Sequence, residues 1–351
     1  MRKKYSYYDI DPEVEYEGLY DAVYKADYFT YSEMVVKQVE WLWEPYIVKG
    51  NLNIIVGDGG VGKSSFIAWL LSSISTGAKI PFTDKNFVVG NCILQNAEDD
   101  IEATTLPRLI ANGADTSKIV FINENYEYFC VQDYNKIEKI LSELRPVAFV
   151  LDPIQAYLED VNMNSSGEVR SALKRLQKLA QKYNCAIILV MHMNKNSGTN
   201  KATNRVMGSY DFVAICRSVI LIENNPDNPE EKLFIPIKCN LVKENQKNTL
   251  SYKIIDSGTL DWLENKGRVN PNEVIAETNN PGDKSSNAKG FILGAISRGR
   301  IKADDLKDLA VNVGNISEKT FNVTRAILRK ENMINSIQDR GTFYWDLNKS
   351  E

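Results

Sequence analysis

Short, mostly apolar runs recur through the middle of the chain. They are Leu52–Val56, Cys92–Asn96, Ile119–Ile122, Val147–Leu151, Cys185–Met191 and Ser218–Ile222. Runs this short and this apolar predict buried strands. Between them lie stretches with helical spacing: Ser65–Leu71, Leu106–Leu109 ending at Asn112-Gly113, Ile137–Leu144 ending before Pro146, and the stripe Val169, Leu173, Leu176, Leu179. Strand and helix in alternation predict an α/β fold, a mostly parallel sheet flanked by helices. Two further strands, Lys232–Cys239 and Leu250–Asp256, flank the polar hairpin 243–247. Residues 265–287 are polar and rich in Asn, Pro, Gly and Ser, the composition of a linker. Beyond it three helical patterns (Ala288–Ser297, Lys302–Val313, Glu318–Lys330) precede two β-like segments, Met333–Ile337 and Thr342–Trp345. The tight turn 313–317 between the last two helices gives a helix-turn-helix with a β wing. The expected organisation is an arm (1–40), an α/β domain (41–264), a linker (265–287) and a winged-helix domain (288–351).

The strand–turn–helix at the start of this pattern carries G-x-x-x-x-G-K-S, as Gly57-Asp58-Gly59-Gly60-Val61-Gly62-Lys63-Ser64, followed by Ser65. Such a turn lets backbone N–H groups wrap a polyphosphate at the positive end of a helix. Lys63 would reach the β/γ-phosphates and Ser64 would ligate Mg²⁺. The run 147–151 ends in Asp152, a second Mg²⁺ candidate, because Mg²⁺ keeps its waters and takes one or two carboxylates plus phosphate. ATP and Mg²⁺ are the cofactors this pairing implies.

Three more candidates stand at strand ends or junctions, where ligands of parallel sheets gather. Glu98 follows the strand 92–96 and is placed to deprotonate an attacking water. The same Glu98-Asp99-Asp100 run also suits a helix N-terminus, with Asp99 or Asp100 as the cap. His192, the chain's one histidine, ends the strand 185–191 and could sense a γ-phosphate, although a lone histidine is more often structural. Arg217, at a helix–strand junction among apolar residues, is either a structural ion-pair partner or an arginine finger for a neighbouring subunit. The polar loop 194–206 offers Lys195, Lys201 and Arg205 to phosphates, and the last helix offers Lys319, Asn322, Arg325 and Arg329 to the groove or backbone of duplex DNA, with protein docking as the alternative use of the winged helix. Trp41, Trp43 and Tyr46 read as plugs for the edge of a core.

Net charge modifies the picture. The chain of 351 residues carries −4 overall. From Lys284 onward 12 Lys/Arg stand against 8 Asp/Glu, so the tail is +4 on a body of −8. A basic tail on an acidic body points to an anionic partner at that end. Five scattered cysteines without a C-x-x-C pair exclude a zinc ribbon or disulfide framework and read as reduced. No apolar run approaches the ~20 residues of a membrane span, and the N-terminus lacks a signal-peptide pattern. A cytoplasmic protein without membrane contact is expected. The Tyr-rich stretch 5–28 suggests an arm and no chemistry.

Taken together, Trp41-Leu42-Trp43, Gly57–Ser64, Gln95–Asp99, Leu151-Asp152-Pro153, Val190–Lys195, Gly208-Ser209 and Arg217 make residues 40–257 resemble the RecA-fold ATPases of the RepA-like hexameric helicase group. The resemblance implies a ring-forming homo-oligomer, a hexamer, that moves along single-stranded DNA in plasmid, phage or mobile-element replication. It also implies Lys63 and Asp152 at the phosphates, Glu98 as catalytic base, His192 as sensor of the γ-phosphate and the DNA state, and Arg217 as a finger acting in trans. Met207 precedes Gly208-Ser209 where the group often has Arg. A nucleotide-switched DNA-binding regulator or helicase loader, and a recombinase-like filament former, are the alternatives.

Overall fold

The computed structural model describes residues 30–33, 35–123, 129–159, 161–162, 165–193, 210–255, 258–279, 281–297, 299–314, 316–339 and 341–348. Residues 1–39 and 40–351 are separate units. In the first, the described part holds a single helical turn, Tyr31–Glu33, and the tyrosines before residue 30 lie outside the described residues.

The second unit is built on a large sheet. Its strands, after the small antiparallel pair β1 (Trp41–Trp43) and β2 (Ile47–Val48), are β3 (Leu52–Gly57), β4 (Cys92–Asn96), β5 (Ile119–Val120), β6 (Ala148–Asp152), β7 (Ala186–His192), β8 (Ser218–Asn225), β9 (Asn228–Cys239), β10 (Thr249–Ile254) and β11 (Leu260–Gly267). Among the described residues they lie in the order β5-β4-β6-β7-β3-β8-β9-β10-β11. The first six run parallel, and the last three continue the sheet as antiparallel neighbours.

The side-chain period of two explains why the parallel strands are apolar throughout. Leu52, Ile54 and Val56 of β3 enter one core, with Val169, Leu173 and Leu176 of the helix Ser166–Tyr183. Ile55 enters the core on the other face, with Phe66, Ile67 and Leu70 of the helix Lys63–Thr76. Trp43 is 1% exposed and stacks on Phe66 and Phe234, with Trp69 and Trp262 against its edges. It belongs to the core. Four of the five cysteines are buried thiols, and Cys130 is half-buried.

The expected linker is a correction. Residues 260–267 form β11, paired to β10, and two helices follow at Pro271–Asn279 and Pro281–Ile296. Val274 and Ile275 are buried in the same core as β8. The polar composition belongs to the outer face of a short helix, and each proline stands at the first helical position, where its missing N–H costs nothing. The Asn270 Oδ1 accepts the Asn272 N–H at 3.1 Å as the cap of the first of these helices. Ile275→Ala should therefore cost about 2–5 kcal/mol in denaturant unfolding, whereas a residue on a free linker would shift stability by less than about 0.5 kcal/mol.

The chain ends in β12 (Ile301–Lys302), the helices Ala303–Asn312 and Glu318–Lys330, and the hairpin β13 (Ile334–Asp339) and β14 (Thr342–Leu347). The three strands lie in the order β12-β14-β13, all antiparallel. With the helix Pro281–Ile296 they enclose a core of their own, Ile292, Ile296, Leu306, Ala310, Phe321, Leu328, Ile334 and Trp345. Ser317 caps the last helix by accepting the Thr320 N–H. No helix among the described residues is long and apolar enough to cross a membrane.

Candidate functional site

Strand order and register bring the carboxyl ends of four strands together. Gly57 of β3 is level with His192 of β7, and Asn96 of β4 is level with Asp152 of β6. Because β7 lies between β3 and β6, the histidine stands between the glycine loop and Asp152.

The loop itself is shaped by close approaches. A Cβ on Gly57 would lie 2.3 Å from the Ile222 carbonyl oxygen, and one on Gly62 would lie 2.2 Å from the Ile254 side chain. Gly60 and Gly62 have φ of 78° and 95°, the left-handed region glycine enters at no steric cost. Val61 is 3% exposed and anchors the loop in the core. Gly62 is the N-cap of the helix Lys63–Thr76 and gives it no side-chain cap, so the first N–H groups face outward at the positive helix end. A Cβ on Gly59 or Gly60 would meet nothing within 4 Å, leaving the backbone open to a ligand. This is a cradle that fits a polyphosphate.

Lys63 is 6% exposed. Its ammonium donates to the carbonyls of Gly57 (3.0 Å) and Asp58 (2.9 Å) and lies 3.3 Å from His192 Nδ1. Burial lowers its pKa, and Asp152, Glu98, Asp58 and Glu223 oppose that shift. Since the ammonium only donates, Nδ1 is the acceptor. His192 Nε2 then carries the ring proton and donates to Glu98 Oε1 at 3.2 Å. Lys63, His192 and Glu98 thus form one continuous chain.

Ser64 Oγ donates to Asp152 Oδ2 at 3.1 Å. Asp152 is 3% exposed, and burial raises its pKa to about 6, against the lowering effects of Ser64 and Lys63. One hydroxyl and one carboxylate beside a phosphate cradle are a donor set that fits Mg²⁺. Among the described residues no group of three or more His, Cys, Asp and Glu forms a metal cage.

Glu98 is held by features the sequence reading missed. Asn96 Oδ1 accepts the N–H groups of both Glu98 (2.9 Å) and Asp99 (3.0 Å), and the Ala97 N–H donates to the Asp152 carbonyl. An Asn followed by acids is the signal of an Asx turn. Of the two candidate caps, Asp100 takes the role, accepting the Ala103 N–H ahead of the π-helical turn Ile101–Thr105. Asp99 pairs instead with Arg108. Glu223, 2% exposed in the second half of β8, is a buried acid near Lys63 that the sequence reading also missed.

Arg217 does not join this group. Its N–H donates to the Leu52 carbonyl at the start of β3, so it lies at the amino ends of the strands, about 17 Å of strand from the glycine loop at 3.3 Å per residue. It is exposed, and Lys238, bonded to the carbonyls of Val213, Ala214 and Cys216, pins the segment before it. Lys195, Lys201, Arg205, Met207, Gly208 and Ser209 lie outside the described residues. So does the Lys319 side chain. Arg329 is exposed, whereas Arg325 is turned toward the hairpin, its guanidinium 5.2 Å from the Trp345 ring centre.

Residues 31–198 match the family described as an AAA domain. That span holds the glycine loop, Glu98, Asp152 and His192. The match and the α/β sheet together make this part of the chain a phosphate-loop ATPase domain, a family that binds nucleotide, typically with Mg²⁺. No curated protein matches the chain.

Proposed function

We propose that the protein is a ring-forming, ATP-dependent DNA translocase of the RepA-like helicase type, whose C-terminal winged helix adds a second nucleic-acid contact. The observation that carries this reading is the Lys63–His192–Glu98 chain. It links the Lys63 ammonium to the Glu98 carboxylate through the last residue of β7, which supports reading the first as the phosphate contact and the second as the base. The cations offered to DNA, Lys195, Lys201 and Arg205, follow His192 closely in the sequence, so a change at His192 on phosphate binding has a direct covalent route to them.

In this reading ATP enters the cradle and draws Lys63 from the loop carbonyls onto its phosphates. Ser64 and Asp152 would hold Mg²⁺, which would supply neutralisation of phosphate charge. Loss of the Lys63 hydrogen bond frees His192 Nδ1, and Glu98, held at its backbone by Asn96, takes the proton of the attacking water. Arg217, at the far end of the sheet from its own loop, serves the site of an adjoining subunit, where it offsets the charge of the transferring phosphoryl group.

The test is an ATPase assay with and without single-stranded DNA, on wild type, Lys63→Ala, Arg217→Ala and a mixture of the two variants. Strong stimulation in wild type, loss in each variant, and partial recovery on mixing are expected, because some mixed interfaces pair an intact loop with an intact arginine. A rate indifferent to DNA would remove the motor reading. A variant Arg217→Ala with full activity would remove the finger. A nucleotide-switched DNA-binding regulator is the second reading. It is favoured by the self-contained core of the C-terminal elements, and it predicts a slow, DNA-indifferent ATPase.

A further inference from the structure

Six cations of the described C-terminal elements fall into two sets. Lys289, Arg300 and Lys307 are each held by a carboxylate, from Glu331, Asp339 and Glu318 respectively. Arg325, Arg329 and Lys330 have no carboxylate partner among the described residues, and all three line one pocket of about 580 Å³ between the helix Glu318–Lys330 and the hairpin β13–β14. Positions 325 and 329 are one turn apart on the same helix face.

The opposite wall is aromatic. Trp345 is buried, with the Arg325 guanidinium over its ring, while Phe343 is 53% exposed at the pocket. A large apolar side chain left this open, beside three cations without counter-charge, asks for a ligand that is flat and apolar on one side and anionic on the other. Ala303 and Ala326 leave room between the two walls.

We propose that this pocket binds one or two unstacked nucleotides of single-stranded DNA, with a base against Phe343 and its phosphates on Arg329 and Lys330. This deepens the proposed function and rests on its nucleic-acid reading. The pocket's concavity decides the form of the nucleic acid. Duplex DNA presents a convex backbone and stacked bases, and a base can reach an aromatic face inside a recess only when it has left the stack. Arg325, which the sequence assigned to a DNA groove, supports the recess by covering Trp345 instead of projecting from the helix.

The experiment uses the full chain. A single-stranded oligonucleotide carrying 5-iodouracil is photo-crosslinked and the site mapped. Fluorescence anisotropy then measures wild type, Phe343→Ala, Phe343→Trp, Arg329→Ala and Lys330→Ala on the same oligonucleotide, on a blunt duplex, and on an acidic peptide ending in Phe. The expected results are a crosslink at Phe343, a loss of single-strand affinity of about 5- to 100-fold in Phe343→Ala, retention in Phe343→Trp, and a reduced salt dependence in Arg329→Ala and Lys330→Ala.

Crosslinks only outside the pocket, equal losses on duplex and single strand, or peptide binding that Phe343→Ala abolishes while single-strand affinity is unchanged would each overturn the proposal. The ATPase assay separates this result from the motor reading. A DNA-indifferent ATPase with a Phe343 crosslink removes the motor and keeps the pocket. A stimulated ATPase with pocket variants of unchanged single-strand affinity does the reverse.

Discussion

Glu98→Gln is expected to slow ATP hydrolysis by about 10²–10⁴-fold, the range a positioned general base contributes, while nucleotide affinity stays within a few fold of wild type. The geometry accounts for both halves. Glutamine keeps a side-chain oxygen where Glu98 Oε1 accepts from His192 Nε2, and its backbone N–H still donates to Asn96. The Lys63–His192 contact and the glycine cradle are therefore left in place. What is lost is a carboxylate able to take a proton from water. Single-turnover hydrolysis and equilibrium binding of a fluorescent ATP analogue measure the two quantities separately. If Glu98→Gln lost affinity and rate in equal proportion, Glu98 would be part of the binding site and the base would have to be sought elsewhere. If neither changed, Glu98 would be no more than a hydrogen-bond partner of His192.

That Glu98, His192 and Lys63 touch was not legible in the chain, although each residue was. A buried parallel strand announces itself by its unbroken apolar run, so the six parallel strands could be read with small errors at their ends, such as Ile122, which lies past the end of β5. Strand order leaves no such trace. Only the placement of β7 between β3 and β6 puts the histidine against both the lysine and the glutamate. Arg217 could be named as an arginine among apolar neighbours, yet its exposure and its place at the amino ends of the strands depend on the register of β8 against β3. The helix Pro271–Asn279 has the sequence of a linker because a short helix needs few buried residues. Val274 and Ile275 suffice to fix it to the core, and they are too brief a signal to stand out from Asn, Pro and Glu around them.

Asp152→Asn is expected to abolish Mg²⁺-dependent hydrolysis and, in the metal-free protein at neutral pH, to raise stability. The two effects share a cause. Asp152 is nearly inaccessible, and burial raises its pKa from the ordinary carboxylate value to about 6. Between the unfolded value near 4 and the folded value near 6, the folded state holds a proton that the unfolded state has released. Stability therefore falls as pH rises through that window and levels off above it. That net shift of about two units, which already includes the lowering effects of the Ser64 hydroxyl and the Lys63 ammonium, corresponds to about 3 kcal/mol at most. Asparagine removes the buried charge and keeps an acceptor for Ser64, so a gain of about 1–3 kcal/mol is expected near pH 7. The gain should shrink toward zero near pH 4, where Asp152 is itself neutral. Thermal unfolding of both proteins in chelator from pH 4 to pH 8 measures this difference. A constant offset across that range would assign the gain to packing instead of charge, and a loss of stability at neutral pH would mean that Lys63 and Ser64 hold the carboxylate more strongly than burial penalises it. The expected gain has a functional meaning. A buried carboxylate that destabilises the metal-free fold is kept in a position where its charge serves a divalent cation, and binding that cation with nucleotide returns the stability that the charge costs.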